Sequence, residues 1–516
     1  MRESTLREEA EDEARERRLR GHFSKQPIEA VAPRRELFGH GFGQHGGLTV
    51  LGGASGMGKT AALRRLVGEW ASLEAGPDAI YPQFQFLLYF ELERESEPGS
   101  LQDLTLATYP HLATELYYLW QTPEAVLLIF DGLDRVRGWH DSTPEMAVGE
   151  PTVKCPLPGI LWALARGAML PGCCVLLAGR PAALKLLQNT GANLWLEVAG
   201  LSEGARQAYM LDFHAGSAEL GRATLDQARR NDYLWGLCLD PAYCWLVCSS
   251  PGEGSPPPRT TTQVLAGYLH GVLRQRAGGD PRDLVFRAGE MALEGLSQRN
   301  GFFGEEDFRR HGLEPSQLEP GLVQRAAGKE GAFYTFRLPV LQEFVAALAQ
   351  YLAPERRNLL ELLRATQAAD DGRYQGYLRF LLGLSARASS RQLEELLLPL
   401  PHRSICEAIF WLEALVQVEV KKRELNRRRL LGVAHYLQEG RNRRLARLLG
   451  RSISQMALGS ERSQHGVRLD PSDCAALCYV FQHSESIDTF SFENCYMQAE
   501  GIKHLLAAFL NCKRLR

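Results

Sequence analysis

Between about residue 45 and residue 200, short apolar runs alternate with longer segments of helical periodicity. The runs Leu48–Leu51, Phe84–Leu92, Ala125–Phe130, Cys173–Ala178 and Leu194–Val198 predict five strands. They are apolar along most of their length rather than at alternate positions, as strands covered on both faces require. Strand–helix alternation of this kind builds a parallel sheet. The fold class is therefore α/β, a parallel sheet with flanking helices, followed by helical domains. After residue 200 the strand signals thin out and the helical period takes over. PGEGSPPPRTTT (251–262) interrupts it, since proline lacks the N–H that a regular element needs, and it reads as a loop or hinge. Residues 263–350 and 351–460 read as mostly helical.

Both ends of the chain differ from this pattern. MRESTLREEAEDEARERRLR sets Glu and Arg at helical spacing and reads as a solvated helix. In the last fifty residues Ile487, Phe490, Phe492, Cys495 and Met497 fit the leucine-rich pattern L-x-x-L-x-L-x-x-N/C-x-L. The helix-like GIKHLLAAFL follows, and Leu515 lies 28 residues after Ile487, where a second repeat would open. A single strand–helix unit has the same spacing, so both readings stand.

Composition narrows the function classes. A chain of 516 residues, 45% hydrophobic, can bury several cores. Its net charge of −2 gives no global field for nucleic acid or membrane. No apolar run approaches the ~18–20 residues of a membrane span, and the charged N-terminus is not a signal peptide. Eleven cysteines are scattered without a CxxC pair or zinc spacing, which reads as a reduced, cytosolic protein with no metal other than Mg²⁺. Cys173-Cys174 falls in an apolar strand and reads as core. KKRELNRRR (421–429) and RNRRLAR (441–447) form a basic stretch. It is read first as a solvated helical face, and otherwise as a nuclear-import signal or a patch for acidic partners, nucleic acid included.

The chemistry begins after the first strand. Gly53-Ala54-Ser55-Gly56-Met57-Gly58-Lys59-Thr60 fits G-x-x-x-x-G-K-[ST] at every fixed position, between a strand and a helix-like run. Its glycines let backbone N–H groups close around phosphate oxygens, and the helix N-terminus adds a favourable dipole. Lys59 would reach the β- and γ-phosphates of ATP or ADP, and Thr60 would ligate Mg²⁺. AVLLIF then runs into Asp131-Gly132-Leu133-Asp134. Asp131 would hold Mg²⁺ and Asp134 could polarise an attacking water. CCVLLA ends in Gly179-Arg180-Pro181, placing Arg180 where it could sense a γ-phosphate in the crevice at the strand ends.

GGASGMGKT, AVLLIFDGLD, VLLAGRP and DPAYCWLVC occur in the order and approximate spacing of the NACHT module, and the chain resembles the NOD-like receptors that carry it. FFGEEDF and FRLPVLQEFVAAL resemble the start and end of that family's winged helix. The resemblance implies a charged linker over 1–44, a NACHT domain over 45–200 and a first helical domain over 201–260. A winged helix over 261–350, a second helical domain over 351–465 and the start of leucine-rich repeats over 466–516 would follow. It implies that Pro241 packs near the adenine. The middle helical region and GIKHLLAAFLNCKRLR are more similar to the caspase-recruitment branch, or its mitochondrial relative, than to the pyrin branch. This chain departs from the family where Arg135 replaces the last acid of DG-x-DE and where Gly132, not Glu, follows Asp131. Leu338 stands where the winged helix has a phosphate-contacting His, with Arg337 beside it as a possible replacement.

These features imply a slow ATPase at most. The first reading is an ATP/ADP switch of an innate-immune receptor or regulator, closed with ADP and self-oligomerising or recruiting signalling proteins when released. A pathogen- or danger-derived ligand could reach it through the repeats. The second reading is a nucleotide-stapled interaction scaffold. The third, a turnover P-loop enzyme, lacks a base beside Asp131.

Overall fold

The structure is a computed structural model. It describes residues 46–509 apart from 54–55, 72–83, 93–98, 199, 251–256, 277–278, 320, 327–332, 353–358, 369–371, 422–426, 454, 459–466, 485–486, 494 and 498. The expected N-terminal helix, Ala54, Ser55, half of the expected hinge, part of the basic stretch and Leu515 lie outside the described residues. The rest form two compact units. One runs to Ala208 and includes Leu239–Pro241; the other comprises Tyr209–Cys238 and the chain from Ala242 on.

The first unit is built on five parallel strands, β1 (Gly47–Gly52), β2 (Phe86–Glu91), β3 (Val126–Asp131), β4 (Cys174–Gly179) and β5 (Leu194–Glu197). Their order is β2-β3-β4-β1-β5, so the chain leaves β1 for the far edge and returns to both of its sides. This places the loop after β1 at the point where the strand order reverses, which is where open parallel sheets bind ligands. β3 and β4 are buried at every position, which explains why their sequences do not alternate.

The two faces nonetheless separate cleanly. Val126, Leu128 and Phe130 join one core with Val175, Leu177 and Trp162. Leu127 and Ile129 join the other with Leu176, Ala178 and Leu63, Val67 and Trp70 of the helix Lys59–Ala71. Because side chains alternate along a strand, Asp131 falls on the face covered by that helix. Cys173 and Cys174 divide between the two cores, and burial pushes the Cys174 thiol up to about 11. The cysteines recorded among the described residues are free thiols.

In the second unit a three-stranded antiparallel sheet, β6 (Phe302–Gly304), β8 (Phe333–Phe336) and β7 (Val323–Ala326), lies between the helices Pro281–Gln298 and Pro339–Leu352 in the sequence. Those helices approach so closely that a side chain at Gly289 would collide with Ala349 and the Val345 carbonyl. Further helices follow, then two short parallel strand pairs, β9 (Gln455–Ala457) with β11 (Thr489–Ser491) and β10 (Val467–Leu469) with β12 (Cys495–Met497). No helix among the described residues is long and apolar enough to cross a membrane.

One buried ion pair gathers this second unit. Glu439 ends the helix Arg427–Glu439 and is fully buried. Its carboxylate accepts from the Thr261 and Thr262 backbone N–H groups, at 3.2 and 2.9 Å, in the first turn of the helix Thr261–Arg274. It also accepts from the Thr262 hydroxyl at 2.7 Å and from Arg379 Nε at 2.9 Å. Arg379 donates in turn to Ser472 and to Thr261, whose hydroxyl also meets Tyr233. Burial alone would push the Glu439 carboxyl up; the Arg379 charge and the Thr262 donors outweigh it and hold it below the usual range. The stabilisation is therefore present at neutral pH and lost as pH falls through that lowered pKa.

Glu439→Ala is expected to destabilise the second unit by about 3–5 kcal/mol, since it strands the Arg379 charge. Urea unfolding followed by circular dichroism reads this, and a loss below ~1 kcal/mol would show that the pair is incidental.

Candidate functional site: the C-terminal ends of the parallel strands

The loop after β1 is shaped as a phosphate cradle. Gly56 and Gly58 adopt φ of 87° and 88°, a left-handed backbone that glycine takes without cost. Lys59 folds back over the loop and donates from Nζ to the Gly53 carbonyl at 2.8 Å. A side chain at Gly53 would press on Lys59 and Val198. Burial lowers the Lys59 pKa; the carboxylates of Asp134 and Asp131 oppose that shift, and Arg180 and Arg135 add to it.

Thr60 and Asp131 meet across the sheet. The Thr60 hydroxyl donates to Asp131 Oδ2 at 2.5 Å, and the Tyr89 hydroxyl donates to the same oxygen at 3.2 Å. Asp131 is 2% exposed. Burial raises its pKa, and the Thr60 and Tyr89 hydrogen bonds and the Arg135 charge only partly oppose it. The site thus holds a buried carboxylate whose charge its neighbours leave undercompensated. A divalent cation would fit such an environment, with Thr60 and Asp131 as the residues that would hold it. Among the described residues no group of three or more His, Cys, Asp or Glu forms an all-protein metal cage.

Asp134 and Arg180, assigned separate roles from the sequence, are bound to each other. Arg180 Nε lies 3.1 Å from Asp134 Oδ2, and the Arg180 backbone N–H donates to Asp134 Oδ1 at 3.0 Å. Both carboxylate oxygens of Asp134 are therefore engaged. Gly132, with φ of 97°, provides the left-handed turn between the two aspartates.

Sequence reasoning missed the end of β2. Glu91 stands in register with Asp131 and on the same face. It bridges Arg64 of the loop's own helix at 2.7 Å and Arg135 at 3.4 Å. The period-two parity of YFE against FD could have placed Tyr89, Glu91 and Asp131 together; nothing local marks their partners. It also missed Gly200. With φ of 94°, Gly200 lies so near the Leu239 carbonyl and the Met57 side chain that no Cβ fits. Leu201 N–H donates to that carbonyl at 2.7 Å. This contact brings the segment carrying Pro241, which is buried and opens the helix Pro241–Ser249, beside the loop at Met57. Arg337 lies 5.0 Å from the Trp245 ring centre, and Leu338 is buried.

Strand order, glycine loop, Lys59, and the Thr60–Asp131 contact define a P-loop nucleotide-binding domain. Residues 48–217 match the family model of the NACHT domain, and residues 283–336 match that of the NOD2 winged helix domain. These two matches, with the relatives below, support a member of the NACHT-domain NOD-like receptor family. It is 26% identical over 410 residues to human "NACHT, LRR and PYD domains-containing protein 3", covering 73% of this chain and 39% of that protein. It is 27% identical over 371 residues to human "NACHT, LRR and PYD domains-containing protein 12", covering 67% and 34%. To human "NLR family CARD domain-containing protein 3" it is 25% identical over 517 residues, covering 90% and 47%. The chain thus spans less than half the length of these relatives. PYD and CARD proteins both appear among them, so the caspase-recruitment branch expected from the sequence rests on that resemblance alone.

Asp131→Asn keeps the shape and an acceptor but removes the buried charge. A carboxyl whose folded pKa is raised opposes folding at any pH above that pKa. The ligand-free melting temperature is therefore expected to rise, by ~2–4 °C for each kcal/mol relieved, while magnesium-dependent stabilisation by nucleotide is lost. Differential scanning fluorimetry checks both; a fall in the ligand-free value would show that Asp131 is adequately compensated by its neighbours.

Proposed function

We propose that this chain is the nucleotide-dependent switch of an intracellular, cytoplasmic innate-immune receptor or regulator. Gly53–Thr60 would cradle the phosphates of ATP or ADP, with Thr60 and Asp131 holding Mg²⁺. The cation would supply charge neutralisation at the β- and γ-phosphates. Pro241 would pack near the adenine, a placement supported by the Gly200–Leu239 contact beside Met57.

The observation that carries the switch over a turnover enzyme is the Asp134–Arg180 pair. A water-activating base needs a free carboxylate oxygen near its water. Here both oxygens of Asp134 are held by Arg180, Gly132 follows Asp131, and Glu91 is tied to two arginines. Arg180 can exchange Asp134 for an incoming γ-phosphate, and that exchange distinguishes triphosphate from diphosphate without hydrolysis. Shifting a two-state equilibrium from 1:99 to 99:1 takes about 5.5 kcal/mol of differential binding. A few charge-assisted phosphate contacts, at roughly 1.5–3 kcal/mol each, reach that size.

In this reading the ADP form is closed, and the released form self-oligomerises or recruits signalling proteins. The pairs β9–β11 and β10–β12, each joined through a helix, support reading residues 466–516 as the start of a leucine-rich array through which a ligand could act.

Denatured protein is expected to release ADP at near one per chain. Small-angle scattering is expected to differ between the ADP form and a non-hydrolysable ATP analogue, with Arg180→Ala abolishing the difference. Identical profiles for wild type would leave the nucleotide as a staple of a scaffold, and turnover at ~1–100 s⁻¹ would make the chain an ordinary enzyme.

A further inference from the structure

The second helical region carries an arginine cluster that the nucleotide site does not use. The helix Arg443–Ser452 opens with Arg443 and Arg444 and has no acidic residue in its first turn. Acidic side chains are the favourable ones there, because the N-terminal end of a helix is itself positive. Arg441, just before it, adopts φ of 49°, a left-handed backbone uncommon for a side-chain-bearing residue. Arg441, Arg443, Arg444 and Arg447 thus concentrate positive charge within about one and a half helical turns.

Two of the four have a partner on the protein, of which one is an acid. Arg444 reaches Glu413 at 2.7 Å, and Arg441 lies over the Tyr479 ring at 5.0 Å. Arg443 and Arg447 are exposed and have no acidic partner among the described residues. They stand beside the turn that follows the helix Pro471–Phe481. Ser484 Oγ donates to the Gly450 carbonyl at 2.9 Å, and a Cβ at Gly450 would collide with the Val480 carbonyl, so the two helices are in close contact.

The last turn of the helix Pro471–Phe481 and the turn after it present two polar atoms with nothing to bind. Tyr479 is 5% exposed, yet its buried hydroxyl has no hydrogen-bond partner; His483 Nε2 is buried and unpartnered as well. The rings are 5.6 Å apart. Burial lowers the His483 pKa, and the charges of Arg447, Arg443 and Arg441 lower it further, so all three arginines act on this ring. The Tyr479 hydroxyl and the arginine charges converge with no anion on the described residues to receive them.

We propose that Arg441, Arg443 and Arg447, closed by Tyr479 and His483, form a binding site for a compact polyphosphorylated anion of the inositol-polyphosphate class, free or as a lipid headgroup. Guanidinium groups bind phosphate oxygens in pairs, with planar geometry and strong charge assistance. Arg443 and Arg447 sit four residues apart, about 6 Å along the axis. Three arginines in that span suit phosphates arranged on a small ring. An extended nucleic-acid backbone would need a longer basic track, and the chain's net charge of −2 does not extend this one.

The site is distinct from the phosphate loop, so its test uses the full chain saturated with ADP and Mg²⁺. Inositol hexakisphosphate, titrated by calorimetry, is expected to bind saturably. Arg443→Gln with Arg447→Gln is expected to weaken it by at least about tenfold, the size of one to two lost charge-assisted bonds. Tyr479→Phe, which removes only the hydroxyl, is expected to weaken it less. Flotation with phosphatidylcholine vesicles containing phosphatidylinositol 4,5-bisphosphate decides whether the headgroup in a bilayer is also taken; binding of either source that the double variant loses supports the site. Unchanged affinity in the folded double variant, or no saturable binding from either source, overturns it. So does tight binding of a single-stranded oligonucleotide that inositol hexakisphosphate cannot displace.

Discussion

A buried carboxylate at the end of β3 is the constraint around which the first unit is arranged. Asp131 is all but excluded from water, and an isolated charge there is costly. The parallel sheet sets Asp131 beside Glu91 and Ala178, and strand parity turns it toward the helix that follows the glycine loop. Thr60, the second residue of that helix, is therefore the donor that reaches it. The register that gives the sheet its apolar faces also brings the phosphate loop against the acid, so packing and chemistry depend on one alignment.

Comparison with Glu439 shows why this acid reads as functional. Glu439 is equally buried, but a guanidinium donating from Nε and Nη2 to one carboxylate oxygen, two backbone N–H groups and a hydroxyl satisfy it, and its pKa falls. Asp131 receives two hydroxyls and a more distant Arg135, and its pKa rises. Burial is common to both; compensation separates them. A fully partnered acid orders the elements around it, whereas an undercompensated one keeps favourable free energy available for a cation.

The same distinction explains what could be read from the sequence. β1 to β5 were legible because continuous apolar runs and glycine chemistry are local signals, and the spacing of Gly53, Gly58, Lys59 and Thr60 fixes their chemistry without neighbours. Asp131 was legible as a strand-end acid. The pairing of Asp134 with Arg180 was not, because the two residues lie 46 positions apart and each has a plausible role alone. Glu91, Gly200 and the Leu239 carbonyl were missed for the same reason. Glu439 meets Thr262 across 177 residues, a separation at which only the folded chain shows the partner.

Uncompensated charge marks two places in the chain. At the strand ends, Asp131 is a buried acid beside a glycine loop shaped for anions, so the proposed cation and phosphates would satisfy the site together. At the helix Arg443–Ser452 the imbalance is positive and lies on the surface, where water can solvate Arg443 and Arg447 but not the Tyr479 hydroxyl beneath them. Solvated arginines alone would be an ordinary exposed face. An unsatisfied buried hydroxyl under them is costly in the absence of a ligand, and that cost, rather than the number of arginines, is what distinguishes a binding site from a basic surface.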